Sequence, residues 1–169
     1  MNTRGLNPSA SSSLQAVSGL GGARLRALEA VAASDDTFPP LRLAVVKALG
    51  IIEVIKKFNS NKRAWIACSD SLIWRVEEII QHTCKFRNDQ VPSALQSWLE
   101  GLNGTLDHLK ESVSDIHQQS SRKFFSFAQD KKVKKFEGKM NEAMSSFRAL
   151  WYEENLQRVG SNSYIYWVV

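Results

Sequence analysis

"LQSWLEGLNGTLDHLKESVSDI", residues 95–116, sets Leu95, Leu99, Leu102, Leu106, Leu109, Val113 and Ile116 at steps of 4, 3, 4, 3, 4 and 3. That spacing averages about 3.5 residues, the period of a helix that buries one seam against other helices. The helix is expected to begin near Pro92, after the connection "KFRNDQVPS" (85–93). Asp107, Glu111 and Asp115 fall at i, i+4 and i+8 beside the seam, so they read as a solvated row rather than as metal ligands.

The flanking sequence repeats the helical message. Residues 39–57 carry Leu41, Ala44, Val45, Leu49, Ile51, Ile52 and Ile55, apolar on nearly every face, which calls for burial on several sides. Residues 61–83 hold Trp65, Ile66, Leu72, Ile73, Val76, Ile79 and Ile80 on one stripe, with Trp74 off it and expected to be exposed. Residues 130–152 step through Val133, Phe136, Met140, Ala143 or Met144, Phe147 and Leu150. "DDTFPP" (35–40) offers acids for a helix start and prolines that end the helix before it, and "NSN" (59–61) separates the next pair. "QQSSRKFFSFAQD" (118–130) reads as the last linker. No Asn-Gly or Asp-Gly hairpin signal is present.

The expected fold is therefore all-α: an up-down-up-down four-helix bundle with a short leading helix at 23–34 and flexible termini. Residues 1–22 read as a disordered Ser/Gly-rich leader, 23–152 as leading helix plus bundle, and 153–169 as an apolar tail of unclear structure. An elongated coiled-coil oligomer competes, but the first bundle helix is too apolar all round for a two-stranded seam. The leader lacks acids and holds Arg4, Arg24 and Arg26, so a mitochondrial transit peptide is the minor alternative there. "LRLAVVKALGIIEVI" (41–55) is interrupted by Arg42, Lys47 and Glu53 and is shorter than the ~20 residues of a spanning helix.

Catalytic signatures are not found in this chain. "SGLGG" (18–22) has no Lys-Ser/Thr after it, and His82, His108 and His117 sit in no metal-binding frame. Cys68 and Cys84 match no zinc spacing and are expected to be reduced thiols. The tryptophans mostly fall at bundle spacing and read as core or core edge. The expectation is a protein that is not an enzyme and takes no cofactor or metal.

Charge is where the sequence becomes specific. "SRKFFSFAQDKKVKKFEGKM" (121–140) holds seven Lys/Arg against two Asp/Glu, which equals the whole chain's net charge of +5. In an up-down-up-down bundle the first and third connections share an end. Lys56, Lys57, Lys62 and Arg63 border the first, and Arg122, Lys123, Lys131 and Lys132 the other, with Lys134 and Lys135 following. Phe124, Phe125 and Phe127 lie in that last connection as candidate interfacial aromatics. Clustered cations beside aromatics suit an anionic membrane. The plainer reading, phenylalanines covering the core and lysines keeping that end wet, runs close behind it. No nucleic-acid partner is expected, because no recognition geometry accompanies the charge.

"LEAVAASDDTFPPLRLAVVKALGIIEVIKKFNSNKRAW" (28–65) resembles the opening of fungal domains related to the N-terminal four-helix bundle of the mixed lineage kinase domain-like protein. "KFFSFAQDKKVKKFEGKMNEAMSSF" (123–147) is similar to that bundle's last connection and helix. The architecture looks like that of the N-terminal helical domain of Cbl-type adaptors and of HeLo-type domains. The resemblance implies a signalling or cell-death module that binds anionic phospholipids and oligomerises, or serves as an adaptor. Carried over, the lipid-facing role falls on the ten basic residues named above. It also implies a cytoplasmic protein, peripheral at membranes, whose partners are anionic phospholipids, itself, or a signalling protein met by amphipathic helices. The family's bundles are followed by brace helices or effector domains, whereas "SNSYIYWVV" (161–169) ends this chain and reads as a truncated or alternative tail.

Overall fold

The computed structural model describes the backbone of residues 11–58, 62–84, 86, 91–120 and 126–163, and side chains within 22–58, 63–84, 86, 91–118 and 131–153. Among the described residues every regular element is an α-helix: α1 (Ser11–Ala33), α2 (Pro39–Lys56), α3 (Lys62–Thr83), α4 (Ser93–Ser120) and α5 (Ser126–Ser163).

Why α2 starts where it does is a matter of backbone chemistry. Pro39 and Pro40 occupy its first positions, where no N–H is needed and φ is already helical. The acids of "DDTFPP" do not cap it: Phe38 is the N-cap, and Asp35 instead pairs with Arg42 at 2.7 Å on the surface.

Four helix boundaries differ from the sequence reading. The leading helix begins at Ser11, within the segment expected to be a disordered leader. Leu14, Val17, Leu25 and Leu28 continue one helical period across Gly19, Gly21 and Gly22, at a cost of about 1 kcal/mol per glycine relative to alanine. The last linker is shorter than 118–130, because α4 runs to Ser120 and α5 starts at Ser126. At its other end α5 passes residue 152 and reaches Ser163.

The closest helix–helix packing is α2 on α4; α2 also packs on α3, and α5 on both α3 and α4. Around the bundle the order is therefore α2, α3, α5, α4, with α3 and α4 on a diagonal despite being consecutive in the chain. α1 lies against α2 and α3. The contacts also give directions. Pro40 meets Asn103 and Lys47 meets Asp107, so α2 and α4 run the same way. Cys68 meets Glu137, Arg75 meets Asn141 and Glu78 meets Arg148, so α3 and α5 do likewise. Trp98 against Phe147 near one end, and Ile116 and Lys132 around one cavity near the other, run α4 and α5 in opposite senses.

All seven residues of the 95–116 seam are buried, as are Val133, Phe136, Met140, Met144 and Phe147 of α5. Of the α3 stripe, Trp65, Leu72, Ile73, Val76 and Ile79 are buried, but Ile66 is 46% exposed. Its neighbour Trp65 takes the inward position, and Ile66, about 100° further round the helix, falls outside the face that packs there. Trp74 is 60% exposed, as its off-stripe position implies. Arg24 of α1 covers one face of it, 4.1 Å from the ring centroid, and pairs with Glu77 at 3.3 Å. That cation–π contact and the burial of Leu28 dock the leading helix.

The α2–α4 seam contains a polar latch. Asn103, buried, donates from Nδ2 to the Pro40 carbonyl at 2.9 Å. Lys47 donates to the Asn103 carbonyl at 3.2 Å and to Asp107 at 2.6 Å. Gly50 leaves room for Lys110, whose Nζ would stand 3.3 Å from an added Cβ. A buried Asn in an apolar seam is a register device, here setting how far α2 slides along α4.

Leu106→Ala should lower the unfolding free energy by about 2–5 kcal/mol in urea titrations, because it leaves a cavity in the seam. Leu43→Ala, on the outer side of α2 where Leu43 is 47% exposed, should cost less than about 1 kcal/mol. Equal costs at the two positions would mean that the burial pattern is wrong.

Candidate functional site

The C-terminal ends of α2 and α4 and the N-terminal ends of α3 and α5 lie together, while the connections between them fall outside the described residues. Phe58, just beyond α2, stacks on Trp65 of α3 with centroids 4.8 Å apart. His117 of α4 meets Phe58 edge-on at 5.3 Å, and Phe136 of α5 meets Trp65 at 6.3 Å. This aromatic layer closes the core where α2 and α4 finish and α3 and α5 enter.

Phe58 and His117 were not singled out by sequence reasoning. Phe58 was legible, since it continues the Ile52, Ile55 steps of three, whereas His117 becomes part of the layer only through the packing of α4 beside α2. The loop phenylalanines expected to cover this end, Phe124 and Phe125, lie outside the described residues, as does the side chain of Phe127.

Lys56, Arg63, Lys131, Lys134 and Lys135 are exposed on the helices that form this end, Lys57 is exposed just past α2, and Lys132 is half-buried. Lys56 makes a long contact with Glu53, at 4.0 Å. Among the described residues, Lys57, Arg63, Lys131, Lys134 and Lys135 enter no ion pair. Arg122, Lys123 and the side chain of Lys62 lie outside the described residues. The C-terminus of α2 adds a partial negative charge that Lys56 and Lys57 offset.

Beside this end the α4–α5 seam is open. A cavity of about 220 Å³ has Trp65, Leu109, Val113, Ile116 and Phe136 on its apolar side, and Ser112, Asp115, Lys132, Lys135 and Lys139 on its polar side. A second cavity, of about 420 Å³, follows along the same seam between Trp98, Leu102 and Ala143, and Lys139 borders both. Gly101 forms part of its wall, and a Cβ added there would touch nothing within 4 Å. The fully buried Trp65 has no acceptor for its Nε1 hydrogen. A buried N–H without a partner is uncommon and calls for an explanation.

Elsewhere the ionisable groups serve structure. Arg148 grips Glu78 through two bonds of 2.8 Å and holds that carboxyl below its usual range. Burial, reinforced by the Glu137 carboxylate 3.7 Å away, pushes the Cys68 thiol up to about 12. Asp107, Glu111 and Asp115 are exposed, although Asp107 is held by Lys47 rather than left to water alone. Among the described residues no group of three His, Cys, Asp or Glu side chains could hold a metal ion, and no helix is long and apolar enough to cross a membrane.

No family model, no curated protein and no solved structure matches the chain.

The two free thiols should differ sharply in reactivity. At pH 8 a thiol reagent should modify exposed Cys84 readily and Cys68 only after denaturant is added, since the thiolate is the reactive species. Rapid native labelling of both would contradict the α3–α5 packing around Cys68.

Proposed function

We propose that this chain is a non-enzymatic signalling module of the cell-death type, a helical bundle that meets anionic membranes through its basic end and self-associates there. The observation that carries the proposal is the concentration of exposed cations (Lys57, Arg63, Lys131, Lys134 and Lys135), in no ion pair among the described residues, around the helix ends closed by Phe58 and Trp65. A lysine or arginine near an anionic bilayer contributes on the order of 1 kcal/mol. Several such contacts acting together give binding that is both useful and sensitive to salt. Kinship with the bundles related to the mixed lineage kinase domain-like protein is proposed on the same footing, from the residue patterns at 28–65 and 123–147. A cytoplasmic site with peripheral membrane attachment follows from that reading.

A second reading is favoured by a different surface. Leu43 and Val46 on α2 are each 47% exposed, beside an open groove walled by Pro39, Pro40 and Gly104. An adaptor that binds a signalling partner or a second copy through its helices would use such a face, with no direct role for lipid.

Flotation separates the two. The chain should float with vesicles containing phosphatidylserine or a phosphoinositide, and be released as salt is raised. Lys56→Glu, Lys57→Glu, Arg63→Glu and Lys131→Glu together should abolish flotation while helical content is unchanged. Flotation that survives these four reversals would reject this membrane surface. Concentration-dependent oligomers without lipid would favour the adaptor.

A further inference from the structure

We propose that the outward face of α2 is where two copies of this chain pair, antiparallel and about a two-fold axis. This pairing deepens the second reading above and rests on the exposed α2 face named there; lipid has no part in it.

α2 packs on α1, α3 and α4. Its remaining side carries Pro39, Leu43, Val46, Gly50 and Glu53 at steps of 4, 3, 4 and 3, a second 3.5-residue stripe on a helix whose inner face is already buried. Pro39, Leu43 and Val46 are exposed, and Gly50 raises no side chain above them. From Pro39 to Gly50 the strip is about 17 Å long. It turns charged at Glu53, which bounds it.

The charges along its α4 edge select the occupant. At the Pro39 end, Glu100 stands with Pro39, Pro40 and Leu43 around the open groove. At the Gly50 end, Lys110 lies over the backbone, its Nζ 3.3 Å from where a Cβ would be. Both side chains are exposed. Gln96 donates to one oxygen of Glu100 at 3.3 Å, which leaves the other oxygen, and Lys110 enters no ion pair among the described residues. Between them Lys47 and Asp107 neutralise each other. The strip is therefore acidic at one end and basic at the other, and turned end for end it matches itself.

One antiparallel register sets Leu43 of each copy against Val46 of the other, and Pro39 against Gly50. In that register Glu100 of each copy comes level with Lys110 of the other, so the contact is reciprocal, as a two-fold interface requires. A parallel pair would oppose Glu100 to Glu100 and Lys110 to Lys110, and like charges set face to face are unfavourable. A contact over so short a length of helix belongs with the small, transient interfaces, so the dimer should dissociate on dilution. Its two basic ends point in opposite directions, and one bilayer can take only one of them.

Sedimentation of the full chain without lipid, from micromolar to near-millimolar concentration, should show a monomer–dimer equilibrium. Leu43→Glu with Val46→Glu, both at outward positions, should weaken the dimer at least tenfold with helical content unchanged. Glu100→Lys should weaken it at least threefold, and adding Lys110→Glu to the same chain should restore it. The two residues are about 15 Å apart along α4, so the rescue can act only between copies. Nitroxides at Lys57→Cys, in a Cys84→Ser background, should stand about 38 Å apart along the paired α2 axes, whereas parallel pairing would bring them side by side. A chain monomeric at every concentration would overturn the pairing, and if it still floats with anionic vesicles the membrane reading stands. A dimer that survives the Leu43 and Val46 substitutions, is not rescued by the charge exchange, or brings the Lys57 labels together would overturn it too, leaving self-association to another face.

Discussion

The fit of α4 against α2 is the constraint on which the rest of the molecule depends. The 95–116 seam has an apolar residue every three or four positions, and α2 is apolar on most of its circumference, so the two form the best-packed pair in the bundle. Full burial of each such side chain stabilises by about 1.5–3 kcal/mol. Within this seam, the Asn103 bond to the Pro40 carbonyl and the Lys47 contacts one turn on limit the two helices to one register. That register brings Phe58 and His117 to the same level, and with them the ends of both helices. α3 and α5 then close the remaining side as a second parallel pair, tied by Glu78 and Arg148 near one end and by Trp65 and Phe136 near the other.

Tight packing of α4 on α2 has a counterpart on its other side. A helix with one strong seam has less apolar surface left for a second neighbour, and α4 meets α5 across exposed or half-buried Gly101, Thr105, His108 and Ser112. The α4–α5 seam consequently stays open along its length, with the lysines of α5 above it and a buried indole at one end. The parallel pairing of α2 with α4 gathers the cations at one end, and the loose α4–α5 contact leaves a groove beside them.

Much of this was legible in the sequence, for reasons that can be named. Long periodic segments reveal their buried faces, so the seam of α4 and the Val133, Phe136, Met140 and Phe147 face of α5 could be read directly. The all-helical fold followed from them. Boundaries were less legible: glycines at 19, 21 and 22 argue against a helix locally, yet α1 begins at Ser11. Ile66 was misplaced because the width of a buried stripe is set by the helices it packs on: Leu72 and Ile73 are both buried, whereas Ile66 beside Trp65 is exposed. The order of helices around the bundle, with α3 and α4 on a diagonal, left no local signal, since it depends on which seams fit best. The groove was hidden for the same reason. Of the residues expected at the basic end, the described ones do lie on the helices that form it, but their division between a flat surface and a cavity edge emerges only from the packing.

The proposed membrane contact is end-on, with the Phe58–Trp65 end towards the lipid. Its most direct test is the accessibility of a nitroxide placed at either end, in a Cys84→Ser background, with the protein bound to anionic bilayers. A label at Lys57→Cys should lose access to a water-soluble relaxation agent on binding, while one at Ser93→Cys, at the far end of α4, should keep it. Equal accessibility of the two labels on the bilayer, or protection of the Ser93 position alone, would rule out end-on binding.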